Sequence, residues 1–209
     1  MNFFDILRSH ALRLPDSIAT ASSRHRRTTY RQLWSRIERG SARLQGEWLV
    51  EPGDIVIYAG HAHPDALVLW LSLARLGAAL LPLESAALLL HAGALASRHE
   101  VRLLLHDDDL PAPLPDEFCA CARLSALIAR RCEHEAQDCP ESTAAISLWY
   151  PDPLAPTAPA SSFSIEALLA RSGPGTAPGA AAAQVLFDPQ RLQRQILPAL
   201  SQGLPLMFE

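Results

Sequence analysis

Three short apolar runs recur along the first half of this chain, Ile55-Val56-Ile57-Tyr58, Ala79 to Leu83 and Val101 to Leu105, with room for one helix between each pair. Parallel strands need a crossover connection of a dozen or more residues, usually a helix, whereas antiparallel neighbours are joined by tight turns. Strand runs at this spacing therefore confine the chain to an α/β fold: a layered, mostly parallel sheet with flanking helices. The intervening residues agree. Residues 64–77 are apolar nearly all round, with Pro64 at a helix start and Gly77 where a helix C-terminal glycine belongs, so this helix is buried on more than one side. Residues 86–98 carry a further helix.

The residues before and after this core read in the same terms. Phe3, Ile6, Leu7, Ala11 and Leu14 share a helical face, with Asn2 as N-cap and Pro15 as the stop. Ser17 to Ala21 is a short strand that turns back into Thr28-Thr29. Thr29 with Gln32 three residues on is a capping-box pattern, opening a helix through Tyr30, Leu33, Trp34, Ile37 and Leu44 to about residue 48. Pro52-Gly53-Asp54 is the turn into the first core strand. Beyond Asp107-Asp108-Asp109, which reads as a solvated turn, the pattern loosens, with one helix around 123–137. It resumes with a strand at 144–149, a short helix from Ser164 to about 171, and a Gly/Pro/Ala linker at 173–182. A strand at 183–187, a helix at 189–202 and a strand from Leu204 to Phe208 close the sequence. The organisation expected is an α/β subdomain over 1–143 and a partial second α/β segment over 144–209.

Composition excludes several functions. Apolar residues make up 49% and charged residues 19%, which is globular and not disordered. The net charge of −4, without a basic run, argues against nucleic acid and anionic membranes as partners. The most apolar stretch, Ala66 to Ala74, is shorter than the ~20 residues of a membrane span. The N-terminus has no basic-then-apolar leader, which makes the cytoplasm the expected location. All 18 basic residues are arginine, so no lysine chemistry is open to these 209 residues.

Pro15-Asp16-Ser17-Ile18-Ala19, Thr29-Tyr30-Arg31-Gln32-Leu33, Val50-Glu51-Pro52-Gly53-Asp54-Ile55-Val56 and Leu73-Ala74-Arg75-Leu76-Gly77-Ala78-Ala79-Leu80-Leu81-Pro82-Leu83, in that order and spacing, resemble the opening of adenylate-forming (AMP-binding) enzymes. These are the acyl-CoA synthetases and the adenylation domains of nonribosomal peptide synthetases. Val101 to Asp107 fits the strand that follows. The resemblance implies the fold of that family's N-terminal subdomain.

It also implies a phosphate-gripping loop of the form T-S-G-T-T-G-x-P-K directly after a strand. Small residues let backbone N–H groups curl around phosphates there, and lysine supplies charge. Trp149, Tyr150, Asp152 and Thr157 stand in that place, within Trp149-Tyr150-Pro151-Asp152-Pro153-Leu154-Ala155-Pro156-Thr157-Ala158-Pro159. This is a degenerate phosphate loop: prolines remove donors, no glycine lies between 149 and 163, and Asp152 repels a triphosphate. The family's ribose-binding aspartate and its C-terminal domain with a catalytic lysine would fall past residue 209, so the resemblance implies a truncated chain inactive on its own. No catalytic residue and no cofactor are assigned.

Phe187-Asp188-Pro189-Gln190 resembles the F-D-x-S segment of peptide-synthetase adenylation domains, where the aspartate meets the substrate's α-amine. Asp188 is thereby a candidate substrate-binding residue. Equally, Asp188 reads as a helix N-cap with Pro189 at the first helical position. His61 and His63 follow a strand end, where α/β ligand sites open, and they also suit a helix start. Cys119, Cys121, Cys132, His134 and Cys139 lack the Cys-x2-Cys pairing of zinc sites and read as reduced loop thiols, so no metal is assigned. Ser161-Ser162 has no nucleophile-elbow motif around it.

The function expected is a non-catalytic, adenylation-domain-like binding or scaffold protein beside a biosynthetic or acyl-activating complex. A protein partner or a homodimer would cover the apolar edge an incomplete fold leaves. The alternative is a subunit of a split AMP-forming acyl or aminoacyl ligase completed by another chain.

Overall fold

The computed structural model describes residues 2–22, 27–83, 100–107, 119–128, 145–150, 161–171, 181–182 and 186–208. Two sheets share one main core. The larger has six strands: β3 (Ile55–Ala59), β4 (Ala79–Leu83), β5 (Val101–His106), β6 (Ala120–Arg123), β7 (Ile146–Tyr150) and β8 (Ser161–Ser164), in the order β6-β5-β3-β4-β7-β8. All neighbours are parallel except the terminal β7–β8 pair. The smaller sheet has the order β2-β1-β10-β9 and joins β1 (Ile18–Ser22) and β2 (Thr28–Thr29) to β10 (Leu206–Phe208) and β9 (Ala181–Ala182).

The sequence explains the helices. Helix α1 (Phe3–Arg13) starts at Asn2, whose side chain accepts from the Asp5 N–H while Asp5 answers the Asn2 N–H, two orphan donors met reciprocally. Thr29 and Gln32 make the same box at the start of α2 (Tyr30–Gly46). Helix α3 (Pro64–Leu76) buries every residue except Asp65, because it touches α2 and β1 as well as β4 and β7. It ends at Gly77 in the left-handed region, φ 76°, which a side chain would oppose. Leu67, Leu69, Trp70, Leu71 and Leu73 are completely buried, which stabilises the helix's place in the core at about 25 cal/mol per Å² of apolar surface removed from water.

Further along, α4 (Leu124–Ile128) and α5 (Ile165–Ala170) are short. The C-terminal helical stretch is divided: α6 (Pro189–Arg191), a π-helical segment over Leu192–Ile196, and α7 (Leu197–Ser201). Pro198 has no N–H to offer the carbonyl four residues back and its ring crowds that turn, which accounts for the widened winding before it. Chain ends meet through Tyr30, whose hydroxyl donates to the Leu204 carbonyl at 2.9 Å, and through His10 Nε2, 3.0 Å from the Ser201 carbonyl oxygen.

Several sequence expectations need amendment. Leu186 and Phe187 form a turn, not the end of a strand, because Asp188 opens a helix immediately after; the strand in this region is Ala181–Ala182. That strand sits inside the stretch expected to be a linker. β6 and β8 were not anticipated: both are short, edge-placed and rich in small residues, without the apolar alternation that marks a strand. The helix expected at 86–98 and the part of the 123–137 helix beyond Ile128 lie outside the described residues.

Candidate functional site

Ligands of open α/β sheets bind outside the carboxyl ends of the strands, where neighbouring connections leave in opposite directions. Here the chain leaves β3 toward β4 and leaves β5 toward β6, on the other side. The crevice between β3 and β5 is occupied by the protein's own side chains. Asp107, directly after β5, is buried at 8% exposure. Its Oδ1 lies 2.9 Å from the Tyr58 hydroxyl and 3.0 Å from His63 Nε2, and its Oδ2 accepts the His61 N–H at 2.8 Å. The Tyr58 hydroxyl is also 2.9 Å from the His61 carbonyl oxygen and 3.1 Å from His63 Nε2. The solvated turn expected at 107–109 is thus corrected at its first residue: Asp107 is a buried network centre, and Asp108 and Asp109 lie outside the described residues.

His63 has a second task. Its Nδ1 accepts the Asp65 and Ala66 N–H groups, at 3.2 and 3.4 Å, and so caps α3. An acceptor Nδ1 puts the ring proton on Nε2, aimed at Asp107. Burial pushes the Asp107 carboxyl upward, but hydrogen bonds from His63, the His61 N–H and Tyr58 outweigh it and hold the group below its ordinary value. Coulombic attraction from His63 adds to this lowering. Gly60 makes the network possible: a Cβ there would stand 2.3 Å from the Tyr58 hydroxyl and 2.4 Å from Asp107 Oδ2.

The array continues toward β7. Phe187 packs edge-on against Tyr58 and Trp70, with ring centroids 6.1 and 6.5 Å apart. The Phe187 carbonyl accepts the Tyr150 hydroxyl, and Tyr150 stacks edge-on with Phe163 at 6.1 Å. Burial first, and then the negative charge of Asp188, drive the Tyr150 phenol far above its ordinary value. Asp188 Oδ1 accepts the Gln190 N–H at 2.8 Å, so the aspartate caps α6 with Pro189 at the first helical position.

The sequence-derived site residues therefore divide. Tyr150 and Asp188 are brought within electrostatic reach of one another. Trp149, one residue back on β7, faces the other side of the sheet and packs on the second core cluster with Ile55, Leu83, Cys119 and Cys121. Asp152 and Thr157 lie outside the described residues. His61 and His63 serve both the crevice and the helix start. The sequence reads Tyr58 as a core-strand residue and Phe187 as the start of the F-D-x-S resemblance; the place of either in this array carries no signal there. Among the described residues no group of three or more metal-ligating side chains converges, and Cys132, His134 and Cys139 lie outside them. No helix among the described residues is long and apolar enough to cross a membrane.

The residues that build the array, Tyr58, His61, His63, Asp107, Tyr150, Phe187 and Asp188, hold two carboxylates and no arginine. Asp107 is satisfied within the protein, so Asp188 is the carboxylate of the array that keeps acceptor capacity.

Comparison with known proteins identifies the framework. The family model described as "AMP-binding enzyme" matches residues 7–163. The D-alanine--D-alanyl carrier protein ligase of Bacillus licheniformis is 31% identical over 84 residues, covering 40% of this chain and 16% of that protein. The N-terminal subdomain of Klebsiella oxytoca NpsA, solved in complex with 3-hydroxybenzoyl-AMSN, superposes with a TM-score of 0.77 at 21% identity, over 99% of this chain and 53% of that one. An artificially fused adenylation-PCP di-domain, NpsA-ThdA of Klebsiella oxytoca, superposes at 0.76 with 22% identity over 99% of this chain and 39% of that one. The six-stranded, mostly parallel sheet with flanking helices is the fold of these N-terminal subdomains. The 209 residues span roughly half or less of the relatives they match.

Proposed function

The chain belongs to the AMP-binding enzyme family, matched over residues 7–163, and from that premise we propose that it is a non-catalytic binding or scaffold member, working beside a biosynthetic or acyl-activating complex. One observation carries the reading: β7, after which the family resemblance puts a phosphate cradle, ends at Tyr150 within electrostatic reach of the Asp188 carboxylate, and the sequence that follows is Pro151-Asp152-Pro153. Adenylation requires the α-phosphate held and the charge of departing pyrophosphate neutralised, and the electrostatic part is normally the largest contribution. Carboxylates and prolines supply the opposite of that need, and no lysine is present among the 209 residues to reverse it.

The Asp188 carboxylate beside the aromatic side chains of Tyr150 and Phe187 supports binding of an amine-bearing small molecule without its activation. The charge is separable from the cap, because asparagine caps as well as aspartate. Asp188→Asn is expected to abolish amine binding measured by calorimetry while leaving the melting temperature unchanged; equal affinity in both proteins would remove the role. NpsA is held with an acyl-AMSN ligand, and the same compound serves as a nucleotide-like probe that this chain is expected not to retain.

A second reading has its own support. The match to the AMP-binding enzyme family is itself to a nucleotide-using framework, and a partner chain supplying a phosphate loop and a lysine would make a split AMP-forming ligase. Pyrophosphate exchange with co-purified partners separates the two: the scaffold gives none in any combination, whereas the split enzyme gains it with its partner.

A further inference from the structure

Tyr150 and Asp188 stand close enough for the carboxylate's charge to oppose ionisation of the phenol. A phenol beside a carboxylate gains most by donating to it, because hydrogen bonds to a charged acceptor are the stronger ones. Here the hydroxyl donates elsewhere, to the carbonyl of Phe187, one residue before Asp188. Asp188 Oδ1 takes the Gln190 N–H at 2.8 Å, and among the described residues no donor reaches its Oδ2. Phe187 is gripped from three elements. Tyr58 of β3 and Trp70 of α3 pack edge-on against its ring, with centroids 6.1 and 6.5 Å away, and Tyr150 of β7 holds its backbone. Tyr58 is itself fixed at Asp107. Asp188, by contrast, opens a helical turn of three residues, far below the roughly 12 residues at which an isolated helix begins to hold itself. Its place must come from outside the turn.

We propose that Tyr150 is a positioning residue: by holding the Phe187 carbonyl, its hydroxyl fixes where the Asp188 carboxylate stands and leaves that carboxylate unspent for a ligand amine. A group fixed beforehand loses less freedom on binding, and supporting contacts that hold a site to within about 0.5 Å are what make it precise. The donor also persists. Burial, and then the charge of Asp188, push the phenol's ionisation far above the ordinary tyrosine range, so the proton that the Phe187 carbonyl needs stays in place at neutral pH. The consequence for binding rests on the amine reading of Asp188; the hold on the Asp188 backbone does not.

Tyr150→Phe removes the hydroxyl and keeps the ring. Phe163→Leu does the reverse: it removes the ring packed edge-on against Tyr150 at 6.1 Å and keeps the hydroxyl, so it reports lost packing alone. Calorimetry of the 209-residue chain with phenethylamine, and with 2-phenylethanol as its uncharged counterpart, should show about tenfold weaker amine binding in Tyr150→Phe, the worth of one lost hydrogen bond. Phe163→Leu should lower the melting temperature and keep the wild-type affinity. Amide hydrogen exchange reads the position of Asp188 without a ligand. The Gln190 N–H bonds to its side chain, and the Leu192 N–H bonds to its backbone carbonyl at 2.9 Å. Both should exchange about tenfold faster in Tyr150→Phe and at the wild-type rate in Phe163→Leu. Wild-type exchange or wild-type amine affinity in Tyr150→Phe, or equal effects in the two variants, would overturn the positioning role. If the unaltered protein binds 2-phenylethanol as tightly as phenethylamine, or binds neither, the amine reading fails, and the exchange rates alone decide whether Tyr150 holds Asp188.

Discussion

The two halves of the sheet's carboxyl end differ in how their polar atoms are used. At β3 and β5, both Asp107 oxygens, both His63 nitrogens and the Tyr58 hydroxyl engage neighbours within the protein. That half is a plug, tying two strands to the start of the most buried helix. At β7, Tyr150 spends its hydroxyl on the Phe187 backbone, and among the described residues the Asp188 carboxylate makes one hydrogen bond, at the start of a three-residue helical turn. A carboxylate of that kind keeps acceptor capacity for something else. The difference assigns the plug to stability and leaves the β7 half for the proposed binding role: substitutions at the plug should destabilise the protein, and substitutions at β7 should alter what it holds.

The largest effect is expected at the plug. Asp107→Ala strands the His63 ring N–H and the His61 N–H in a buried setting, and should cost about 3 kcal/mol in denaturant unfolding. A loss under 1 kcal/mol would mean that the network contributes little to stability. The pH dependence follows from the same group. Its folded pKa lies below the unfolded one, so its contribution is complete above the ordinary carboxylate range near about pH 4 and is lost as pH falls through the depressed folded value. Asp107→Asn should flatten that acid limb of the stability curve.

Gly60→Ala comes next, at about 2 kcal/mol, because its methyl group must displace either the Tyr58 hydroxyl or the Asp107 carboxylate. On the β7 side the expected changes are smaller. Asp188→Ala should lower stability by about 1 kcal/mol through the lost cap. Asp188→Asn should leave stability alone while bringing the Tyr150 phenol down toward its ordinary range, read from the ultraviolet phenolate band. The raised phenol contributes stability that is complete below the unfolded tyrosine value of about 10 and is lost above it. If Asp188→Asn destabilised the chain as much as Asp107→Ala, the distinction between plug and binding half would collapse.

Sequence patterning disclosed the framework because its signals are local. The runs at 55–58, 79–83 and 101–105 became β3, β4 and β5, Gly77 took the left-handed cap, and Thr29 with Gln32 closed the capping box. The pairing of β1 with β10, residues nearly the whole chain apart, carries no local mark. Asp107 misled for a related reason. A triplet of aspartates reads as solvated, and nothing within a few residues reveals that His61, His63 and Tyr58 wait across the crevice to satisfy the first of them. Asp188 showed both faces at once: its capping role is local and visible, whereas its influence on Tyr150 depends on how β7 meets the turn at 186–187.

The non-catalytic reading of this family member turns on whether its sheet end accepts phosphates. Calorimetric titration of the chain with ATP and with AMP, in magnesium-containing buffer, addresses that without assuming a substrate or a partner. Acidic, proline-bounded surroundings predict no saturable heat at concentrations up to about 1 mM. A dissociation constant in the micromolar range, weakened by substitutions at Tyr150 or Asp188, would contradict the account.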